Sequence, residues 1–431
     1  MDKMKERDLD DLELAKLIED HFGIENLKKY PSGVWFFDGY IWRLFSDAKL
    51  KADVTYVLSQ NLDKVKDSRV RASINILKAN HYEEDEQFEL GDPNMIALKD
   101  GYYQYDGNLW LKLPPDRDLM RRVQIPAKYV DDQPVAFNKF LDDILCDADG
   151  NIRPDANELR QLIWEMLAYC LTTHTKYEQC FILCGAGANG KSVLGAIAKA
   201  MVGRHHTASV QPNQMGSVFQ RSNLEGKLLN LVTELDQNAE LADGMLKAIV
   251  SGEMMSVEKK FQDVREIEPF AKHIILTNHM PRIRDYSDGL FRRVSIITLE
   301  RQFMGLDADP HLLEKLTGEL DAITSRALDA LGHLINRKGK FTRPSSSVAA
   351  LKEWQLENNH LADFVAERLY EDPQGSLGVQ AAYDAYVGWF GLTGLRGMLG
   401  RKQFSKRLEA LLRMPSKRTA GGYFFQGVAL R

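Results

Sequence analysis

The sequence predicts an α/β protein built around a buried parallel sheet, and two features of one central segment carry this prediction. Between Cys180 and Leu299, apolar runs alternate with helix-forming stretches, the runs being CFILC (180–184), LLNLV (228–232), HIILT (273–277) and VSIITL (294–299). Such alternation favours a sheet that helices cover on both faces. The first run also leads directly into a glycine-rich turn and then into a helical pattern. A strand, a loop and a helix in that order commonly pack as one unit.

Weaker patterns flank this segment and indicate further domains. Aromatic, β-rich runs surround Asp-Gly turns at Gly33–Phe45 and Met95–Leu113, which is typical of hairpins in a mixed α/β domain. Helical spacing dominates from Val135 to about His174, and a linker-like stretch spans Arg337–Ser347. A chain of 431 residues is too long for one compact core. The predicted regions are an N-terminal mixed domain, a helical connector or collar, the sheet-bearing core and a small C-terminal domain, at 1–118, 119–174, 175–340 and 348–431.

Composition excludes several classes of protein. No apolar run approaches the roughly 20 residues that a membrane helix needs, so we expect no membrane partner and a cytoplasmic protein. The four cysteines include no C-x-x-C pair, which argues against a zinc site or a disulfide framework. The formal net charge of −5 neither favours nor excludes nucleic acid, because a protein can be acidic outside and basic at one surface.

The strongest motif is GAGANGKS, a full match to the phosphate-loop pattern G-x-x-x-x-G-K-S/T. Glycines let the backbone N–H groups approach phosphate oxygens closely. Lys191 would neutralise the β and γ phosphates, and Ser192 would offer its hydroxyl to Mg²⁺. The sequence therefore predicts a site for ATP and Mg²⁺. Its predicted nucleotide contacts are Gly185, Ala186, Gly187, Ala188, Asn189, Gly190, Lys191, Ser192 and Val193.

Polar residues follow the next apolar runs in an order that suits nucleotide hydrolysis. Glu234 and Asp236 end the second run, where one carboxylate is needed to hold Mg²⁺ and one to orient the attacking water. Asn278 ends the third run and could sense the γ-phosphate. Arg292 and Arg293 directly precede the fourth run, a fitting place for an arginine that stabilises developing phosphate charge.

Taken together, GAGANGKS, LLNLVTELD and HIILTNHMPRIRDYSDGLFRRVSIITL resemble the superfamily 3 helicases. They are most similar to the phage and plasmid primase–helicases of satellite-phage and poxvirus type. The resemblance implies an AAA+-like P-loop NTPase core that assembles into a hexameric ring with ATP held between subunits. The chain is expected to contain the helicase part without a primase domain.

The resemblance also assigns roles to individual residues. Lys191 and Ser192 match the phosphate-loop pair, and Glu234 and Asn278 match the acidic motif and the sensor. Arg293 matches the arginine donated to the neighbouring subunit's ATP, and Lys247 falls where the family places a basic contact to that nucleotide. The family usually shows adjacent acids in the acidic motif, whereas Thr233 precedes Glu234 here. The metal ligand therefore stays open between Glu234 and Asp236.

Two further segments resemble the family's DNA-binding parts. Ser251–Glu268 fits the β-hairpin that grips DNA in the channel, with Lys259, Lys260 and Phe261 at its tip. Residues 348–431 resemble a winged helix, in which a basic helix and a basic hairpin would read duplex DNA. A solvated basic face is the alternative for this region. Its candidate DNA contacts are Arg401, Lys402, Lys406, Arg407, Lys417 and Arg418.

These features favour an ATP-dependent replicative DNA helicase of a phage, plasmid or satellite element. Its expected partners are single-stranded and forked DNA, duplex origin DNA, further copies of itself and a separate primase or polymerase. Family resemblance implies 3′ to 5′ movement and a bacterial host cytoplasm; a heptamer or DNA-dependent assembly stays open. One alternative is an ATP-switched origin-binding initiator without processive unwinding. Another is a phosphate-loop enzyme acting on a small molecule, for which the sequence offers no acceptor site.

Overall fold

The computed structural model describes residues 9–89, 91–235, 241–260, 263–281, 283, 288–393, 398–419 and 422–431. Helices and strands are mixed throughout these residues, which confirms the predicted α/β class. The largest sheet has five strands and is parallel, and it lies in the central segment where the sequence predicted it.

The N-terminal unit packs three helices beside a small antiparallel sheet. Buried residues such as Leu14, Val54 and Leu77 bring the helices together around one core. Asp10 caps the first helix by accepting a hydrogen bond from the Glu13 amide at 2.8 Å. The elements are α1 (Asp11–Phe22), β1 (Leu27–Tyr30), β2 (Gly33–Phe37), β3 (Trp42–Leu44), α2 (Asp47–Asn61) and α3 (Asp67–Asn80).

A second antiparallel sheet and two helices follow and belong to the main core. Ile96, Leu98 and Tyr103 of this sheet are buried in the same hydrophobic cluster as the helices behind the central sheet. Asp106 and Gly107 form a turn between two of its strands, as their sequence predicted. The elements are β4 (Ile96–Leu98), β5 (Gly101–Tyr105), β6 (Trp110–Leu113), α4 (Val135–Ile144) and α5 (Ala156–Tyr169).

The central segment forms the parallel sheet and carries a separate hairpin. All four predicted strands are present, and a two-residue strand too short to leave a periodic pattern adds a fifth. The elements are β7 (Cys180–Cys184), α6 (Lys191–Val202), β8 (Thr207–Ala208), α7 (Val218–Arg221), β9 (Leu229–Val232), α8 (Asp243–Ser251), β10 (Met255–Val257), β11 (Arg265–Ile267), β12 (Lys272–Thr277), α9 (Asp288–Phe291) and β13 (Val294–Thr298).

Alternate residues of the central strands bury on opposite faces of this sheet. Its strand order is β13-β7-β12-β9-β8. Phe181 and Leu183 of β7 lie in the cluster with α5 and α6, whereas Cys180 and Ile182 lie in the cluster with α8. Because every β7 side chain up to Leu183 meets a hydrophobic layer, the strand is apolar at every position, as the sequence pattern required.

The C-terminal part combines helices with a three-stranded antiparallel sheet of order β14-β16-β15. The predicted basic helix and the two predicted strands after it are present as α14, β15 and β16. The elements are α10 (Leu312–Gly318), α11 (Leu320–Asn336), α12 (Ser345–Arg368), β14 (Leu369–Gly378), α13 (Val379–Thr393), α14 (Arg401–Leu412), β15 (Lys417–Thr419) and β16 (Gly422–Leu430).

One long helix, α12, is shared by two hydrophobic cores. Its first half buries Trp354 beside the central sheet, where the indole Nε1 donates to the Pro281 carbonyl at 2.8 Å. Its second half buries Leu361 and Phe364 in the C-terminal core. The predicted small domain at 348–431 therefore shares its first helix with the sheet-bearing core.

Candidate functional site

The glycine-rich turn wraps tightly between β7 and α6. A Cβ atom at Gly185 would come within 2.1 Å of the Leu299 carbonyl oxygen, and one at Gly190 within 2.6 Å of the Ile144 side chain. Gly190 also has a φ of +86°, which favours glycine. Residues 186–188 are exposed, and a Cβ at Gly187 would meet nothing within 4 Å. The loop thus presents bare backbone to the outside, as a phosphate-binding loop must.

Lys191 begins α6 and is held inside the loop. Its Nζ donates to the carbonyls of Gly185 and Ala186 at 2.6 and 2.9 Å, and to Asn189 Oδ1 at 2.9 Å. Burial lowers the pKa of Lys191 below its usual value, although the nearby Cys184 thiol opposes the shift. Ser192 is exposed in the first turn of the helix. The α6 N-terminus, the Lys191 ammonium group and Ser192 therefore lie together at the loop, an arrangement that suits a triphosphate with Mg²⁺.

The segment after β13 fixes this loop, a feature that the sequence did not indicate. The Asn189 amide donates to the Leu299 carbonyl at 3.0 Å, and the Phe303 amide donates to Ala188 at 2.7 Å. The Gln302 side chain donates to Gly187 at 2.8 Å. These contacts hold the loop at the carboxyl edge of the sheet, where a ligand of an open α/β sheet normally binds.

The predicted hydrolytic residues lie along the same edge. Thr277 at the end of β12 pairs with Cys184, and Ile275 pairs with Val232 of β9. Continued by two residues, this register places Glu234 beside the end of β12. Glu234 and Asn278 are both exposed there, close to the start of the loop. Asp236, the second predicted acid, lies outside the described residues.

The twin arginines lie at the opposite edge, since they precede β13 and Val294 pairs with Cys180 at the start of β7. The five residues of β7 separate the two edges by roughly 17 Å, at about 3.3 Å per residue. Arg293 is 12% exposed and donates to Ser251 Oγ at 3.1 Å and to the Gly289 carbonyl at 2.7 Å. Arg293 also pairs with Glu178 at 2.7 Å. Arg292 is 65% exposed, and its guanidinium group lies farther from the same carboxylate, at 3.9 Å.

The predicted hairpin is present as β10 and β11, which pair in antiparallel register from Met255–Ile267 to Val257–Arg265. Lys260 is exposed in its loop, and Phe261 lies outside the described residues. Lys259 is paired with Glu225 at 2.8 Å, and Arg265 pairs with the same carboxylate oxygen. Lys247 lies on α8, the helix that precedes the hairpin, and is half-buried.

A buried arginine that the sequence did not single out anchors the hairpin. Arg221 donates to the Gly216 carbonyl at 3.0 Å and to the Ser256 carbonyl in β10 at 2.9 Å. It lies 3.8 Å from the Met245 sulfur of α8. The hairpin is thus connected to α8 and to the segment after β8. No motif marks Arg221, because only the tertiary structure brings these three segments together.

The C-terminal candidates lie on the surface as predicted. Arg401, Lys402 and Lys406 are exposed along α14, while Phe404 and Leu408 of the same helix are buried. Lys417 and Arg418 are exposed on β15. Arg407 is half-buried and lies close enough to His360 to lower the pKa of that histidine, after the larger effect of burial.

Neither a preformed metal cluster nor a membrane helix occurs in the part of the chain that the structure describes. No group of three or more histidine, cysteine, aspartate or glutamate side chains there is placed to hold a metal ion. A magnesium ion at a phosphate loop needs fewer protein ligands, because phosphate oxygens and water supply the rest. None of the described helices is long and apolar enough to cross a bilayer.

One family model and several known proteins are similar to parts of this chain. A family model of unknown function, DUF5906, matches residues 183–293, which run from the phosphate loop to the twin arginines. "Putative helicase 022R" of Frog virus 3 (isolate Goorha) is 25% identical over 264 residues, or 56% of this chain and 27% of that protein. "Putative helicase L207/L206" of Acanthamoeba polyphaga mimivirus is 22% identical over 227 residues, or 49% of this chain and 22% of that protein.

"Putative helicase 184R" of Invertebrate iridescent virus 6 is 22% identical over 252 residues, covering 49% of this chain and 26% of that protein. Each of these viral relatives carries the name "Putative helicase". The chain spans about a quarter of the length of each curated relative. It is therefore similar to only one part of each of these proteins.

Solved structures share the fold over almost the whole chain. The A-form apo structure of the NrS-1 C-terminal region has a TM-score of 0.54 at 12% identity and covers 97% of this chain and 99% of that one. A second apo structure of the NrS-1 C-terminal region gives a TM-score of 0.52 at 13% identity, with 96% and 98% covered. The arrangement of N-terminal unit, central sheet and C-terminal part is thus one that a known protein also adopts.

Proposed function

We propose that this chain is an ATP-dependent DNA helicase of superfamily 3, encoded by a phage, plasmid or satellite element, with an AAA+-like core and a C-terminal winged helix. The observation that carries the proposal is the separation of two sites on one sheet. The phosphate loop lies at the carboxyl edge, and the exposed Arg292 lies at the amino edge, roughly 17 Å away. An arginine so placed serves the nucleotide of a neighbouring copy, which requires a ring or filament.

ATP binding falls to the loop and to the first turn of α6. The backbone N–H groups of 186–190 and the α6 N-terminus would surround the phosphates. Lys191 would exchange its three loop oxygens for phosphate oxygens, because its ammonium group already lies at the centre of the loop. Ser192, with Glu234 or Asp236, would hold Mg²⁺, which neutralises phosphate charge during the reaction.

Hydrolysis needs a base for water and a cation for the leaving phosphate. Glu234 is exposed at the carboxyl edge of the sheet, where it would orient water, and Asn278 beside it would sense the γ-phosphate. We assign the arginine that acts across the subunit interface to Arg292. Arg293 is already bonded to Ser251, Gly289 and Glu178. Since Ser251 ends α8, Arg293 would instead connect the arginine segment to Lys247 and the hairpin.

Coupling to DNA would pass through the hairpin. In a hexameric ring, six copies of Lys260 would contact the phosphates of one DNA strand, with Phe261 beside them. Staggered hydrolysis around the ring would move these hairpins in turn and carry the strand 3′ to 5′. The exposed cations of α14 and β15 would contact duplex DNA at an origin. A primase or polymerase would be a separate partner, and the bacterial cytoplasm the site of action.

Two measurements on the same sample test this proposal. The first is the rate of ATP hydrolysis with and without single-stranded DNA, and the second is the mass of the particles by mass photometry. We expect strong stimulation by DNA and a mass of six subunits. Hydrolysis that ignores DNA, in a protein that stays monomeric under all nucleotide conditions, would contradict both the motor and the ring.

An ATP-switched initiator that binds an origin without processive unwinding is the second candidate. The exposed basic surface of α14 and β15 favours it, because duplex binding alone would explain those cations. A forked substrate separates the two functions. Unwinding over many base pairs per binding event supports the motor, and melting confined to the origin supports the initiator.

A further inference from the structure

The loop between α11 and α12 is held in one conformation by side-chain contacts, although its sequence, RKGKFTRPSSS, is typical of a linker. The buried Glu165 carboxylate accepts hydrogen bonds from the Thr342 amide at 2.7 Å and from Thr342 Oγ1 at 2.8 Å. Arg337 pairs with the same carboxylate at 2.5 Å. Three contacts to one buried acid fix the path of this loop at both of its ends.

Aromatic packing fixes the middle of the loop. A Cβ at Gly339 would come within 2.0 Å of the Tyr177 ring, so the backbone lies directly against that ring. Phe341 packs edge-on against Phe181, with ring centroids 5.5 Å apart, and contacts Tyr169 in the same way. The intervening and following cations, Lys340 and Arg343, are exposed. A rigid backbone therefore holds these two side chains outward.

These cations line a cleft with the twin arginines. The cleft has a volume of about 810 Å³, and its charged lining residues are Arg292, Arg293, Lys340, Arg343 and Glu178. Glu178 is engaged by Arg293 at 2.7 Å. Within the part of the chain that the structure describes, no carboxylate pairs with Lys340 or Arg343. The cleft thus has a surplus of positive charge on a fixed frame, which suits a polyphosphate.

The cleft cannot serve the phosphate loop of its own chain. Gln179, which directly precedes β7, and Val294 and Ser295, which begin β13, line it, whereas the loop follows the other end of β7. At the loop itself, the nearby arginines are already paired, Arg153 with Asp155 and Glu300, and Arg301 with Asp143. Among the described residues, the nucleotide site therefore lacks an uncommitted arginine of its own.

We infer that Lys340 and Arg343 act together with Arg292 as a cationic cleft that receives the triphosphate bound at the phosphate loop of a neighbouring copy. This inference rests on the ring proposed above. It adds two residues from outside the central segment to the nucleotide site. The fixed loop between α11 and α12 then has a function, because its rigid backbone orients Lys340 and Arg343 toward the neighbouring subunit before assembly.

Complementation within mixed rings tests the inference. Lys340→Gln/Arg343→Gln chains and Lys191→Ala chains carry different tags, are co-expressed, and are purified by both tags. Each variant alone should lose ATPase activity, the double variant by about tenfold or more. In random 1:1 rings about a quarter of the interfaces join an intact loop to an intact cleft, so up to about a quarter of wild-type activity should return. Lys338→Gln, an exposed cation of the same loop that does not line the cleft, is the matched control and should behave as wild type.

The same mixing experiment is carried out in parallel with Arg292→Ala and Lys191→Ala chains. It separates the proposed ring from the assignment of Lys340 and Arg343 to its interface. If Arg292→Ala regains activity on mixing but the double variant does not, the ring stands and the assignment of Lys340 and Arg343 is wrong. If neither regains activity, the proposed ring mechanism fails. A double variant with full DNA-free ATPase activity but weakened single-strand binding would assign the cleft to the DNA backbone and also overturn the inference.

Discussion

At the scale of single residues, Lys191 shows how the loop prepares its own ligand site. Its ammonium group is bonded to two backbone carbonyls and to Asn189 and is almost buried, so the charge lies at the place that phosphates would occupy. The pattern of the motif indicated this residue's role. The role of Asn189, which connects the lysine to the Leu299 carbonyl, became visible only when β13 was placed beside the loop.

Lys191→Ala should reduce ATP hydrolysis by about a hundredfold or more, because it removes the preorganised cation from the phosphates. Lys199→Ala is the matched control, since Lys199 is an exposed lysine on the same helix. Steady-state ATPase assays at saturating ATP measure both variants. Equal losses in the two variants would show that the effect comes from helix stability and not from phosphate binding.

Buried histidines give the protein a predictable loss of stability in acid. Burial lowers the pKa of His174 and of His273 to about 3, from an ordinary value near 6.5. The unfolded state therefore binds more protons than the folded state between about pH 6.5 and pH 3. Stability is unaffected by these groups above that window and falls as the pH drops through it.

Each such histidine should cost about 1.4 kcal/mol of unfolding free energy per pH unit in this window. We expect the urea midpoint to fall clearly between pH 7.5 and pH 5.5. His273→Gln should make that decrease shallower, because its amide can keep the contact with Asn230, now 3.1 Å from His273, without taking up a proton. An unchanged slope in this variant would mean that other groups dominate the acid response.

At the scale of elements, β10 and β11 form a two-stranded hairpin that is separate from the five-stranded sheet. Among the described strands, β10 and β11 pair with each other alone, and Arg221 and Glu225 connect the hairpin to the segment between β8 and β9. The hairpin lies beside α8, whose last residue contacts Arg293, and this contact links it to the edge of the sheet that carries Arg292.

Lys260→Ala should leave basal ATPase within about twofold of wild type and abolish unwinding of a fork, because it removes a phosphate contact and leaves the nucleotide site intact. Lys259→Ala is the comparison, because Glu225, which also binds Arg265 of β11, holds the Lys259 ammonium group against the body of the hairpin. We expect it to weaken unwinding less. Fork unwinding and DNA-free ATPase are measured on the same preparations, and normal unwinding by Lys260→Ala would show that the hairpin does not grip the strand.

At the scale of the whole molecule, α12 decides where the chain can be divided. Ala350, Leu351 and Trp354 belong to the core beside the sheet, and Leu361 and Phe364 belong to the C-terminal core. A cut at the predicted linker would remove the first of these sets and uncover the sheet. A cut in the middle of α12 would leave each core with its own residues.

A chain ending at Glu357 should therefore keep its fold and its ATPase activity, whereas one ending at Ser347 should be destabilised by about 3–5 kcal/mol, comparable to the loss of one buried tryptophan. Thermal unfolding measures the difference. The chain ending at Glu357 should also lose binding to duplex DNA if the cations of α14 and β15 contact an origin. Undiminished duplex binding would leave those cations as a solvated surface.

The sequence alone determined the local features of this protein. Strand β7, the glycine turn and α6 follow directly from residue type and spacing, since each depends on neighbours a few positions away. The basic helix α14 was equally visible, because an amphipathic face is a short-range pattern, whereas the hairpin was predicted from the resemblance to the superfamily 3 helicases. The ends of β9 and β12 placed Glu234 and Asn278 correctly at one edge, because parallel strands bring their carboxyl ends together.

Only the tertiary structure decided which distant segments meet. It separated Arg292 from Arg293, adjacent in sequence, by bonding one to Ser251 and leaving the other exposed. The sequence predicted a linker after α11, but the structure has a fixed loop there, because the loop packs against Glu165, Tyr177 and Phe181. Which cations are bonded and which are exposed depends on contacts between residues that lie 42 to 177 positions apart in these examples. No local pattern in the chain encodes such contacts.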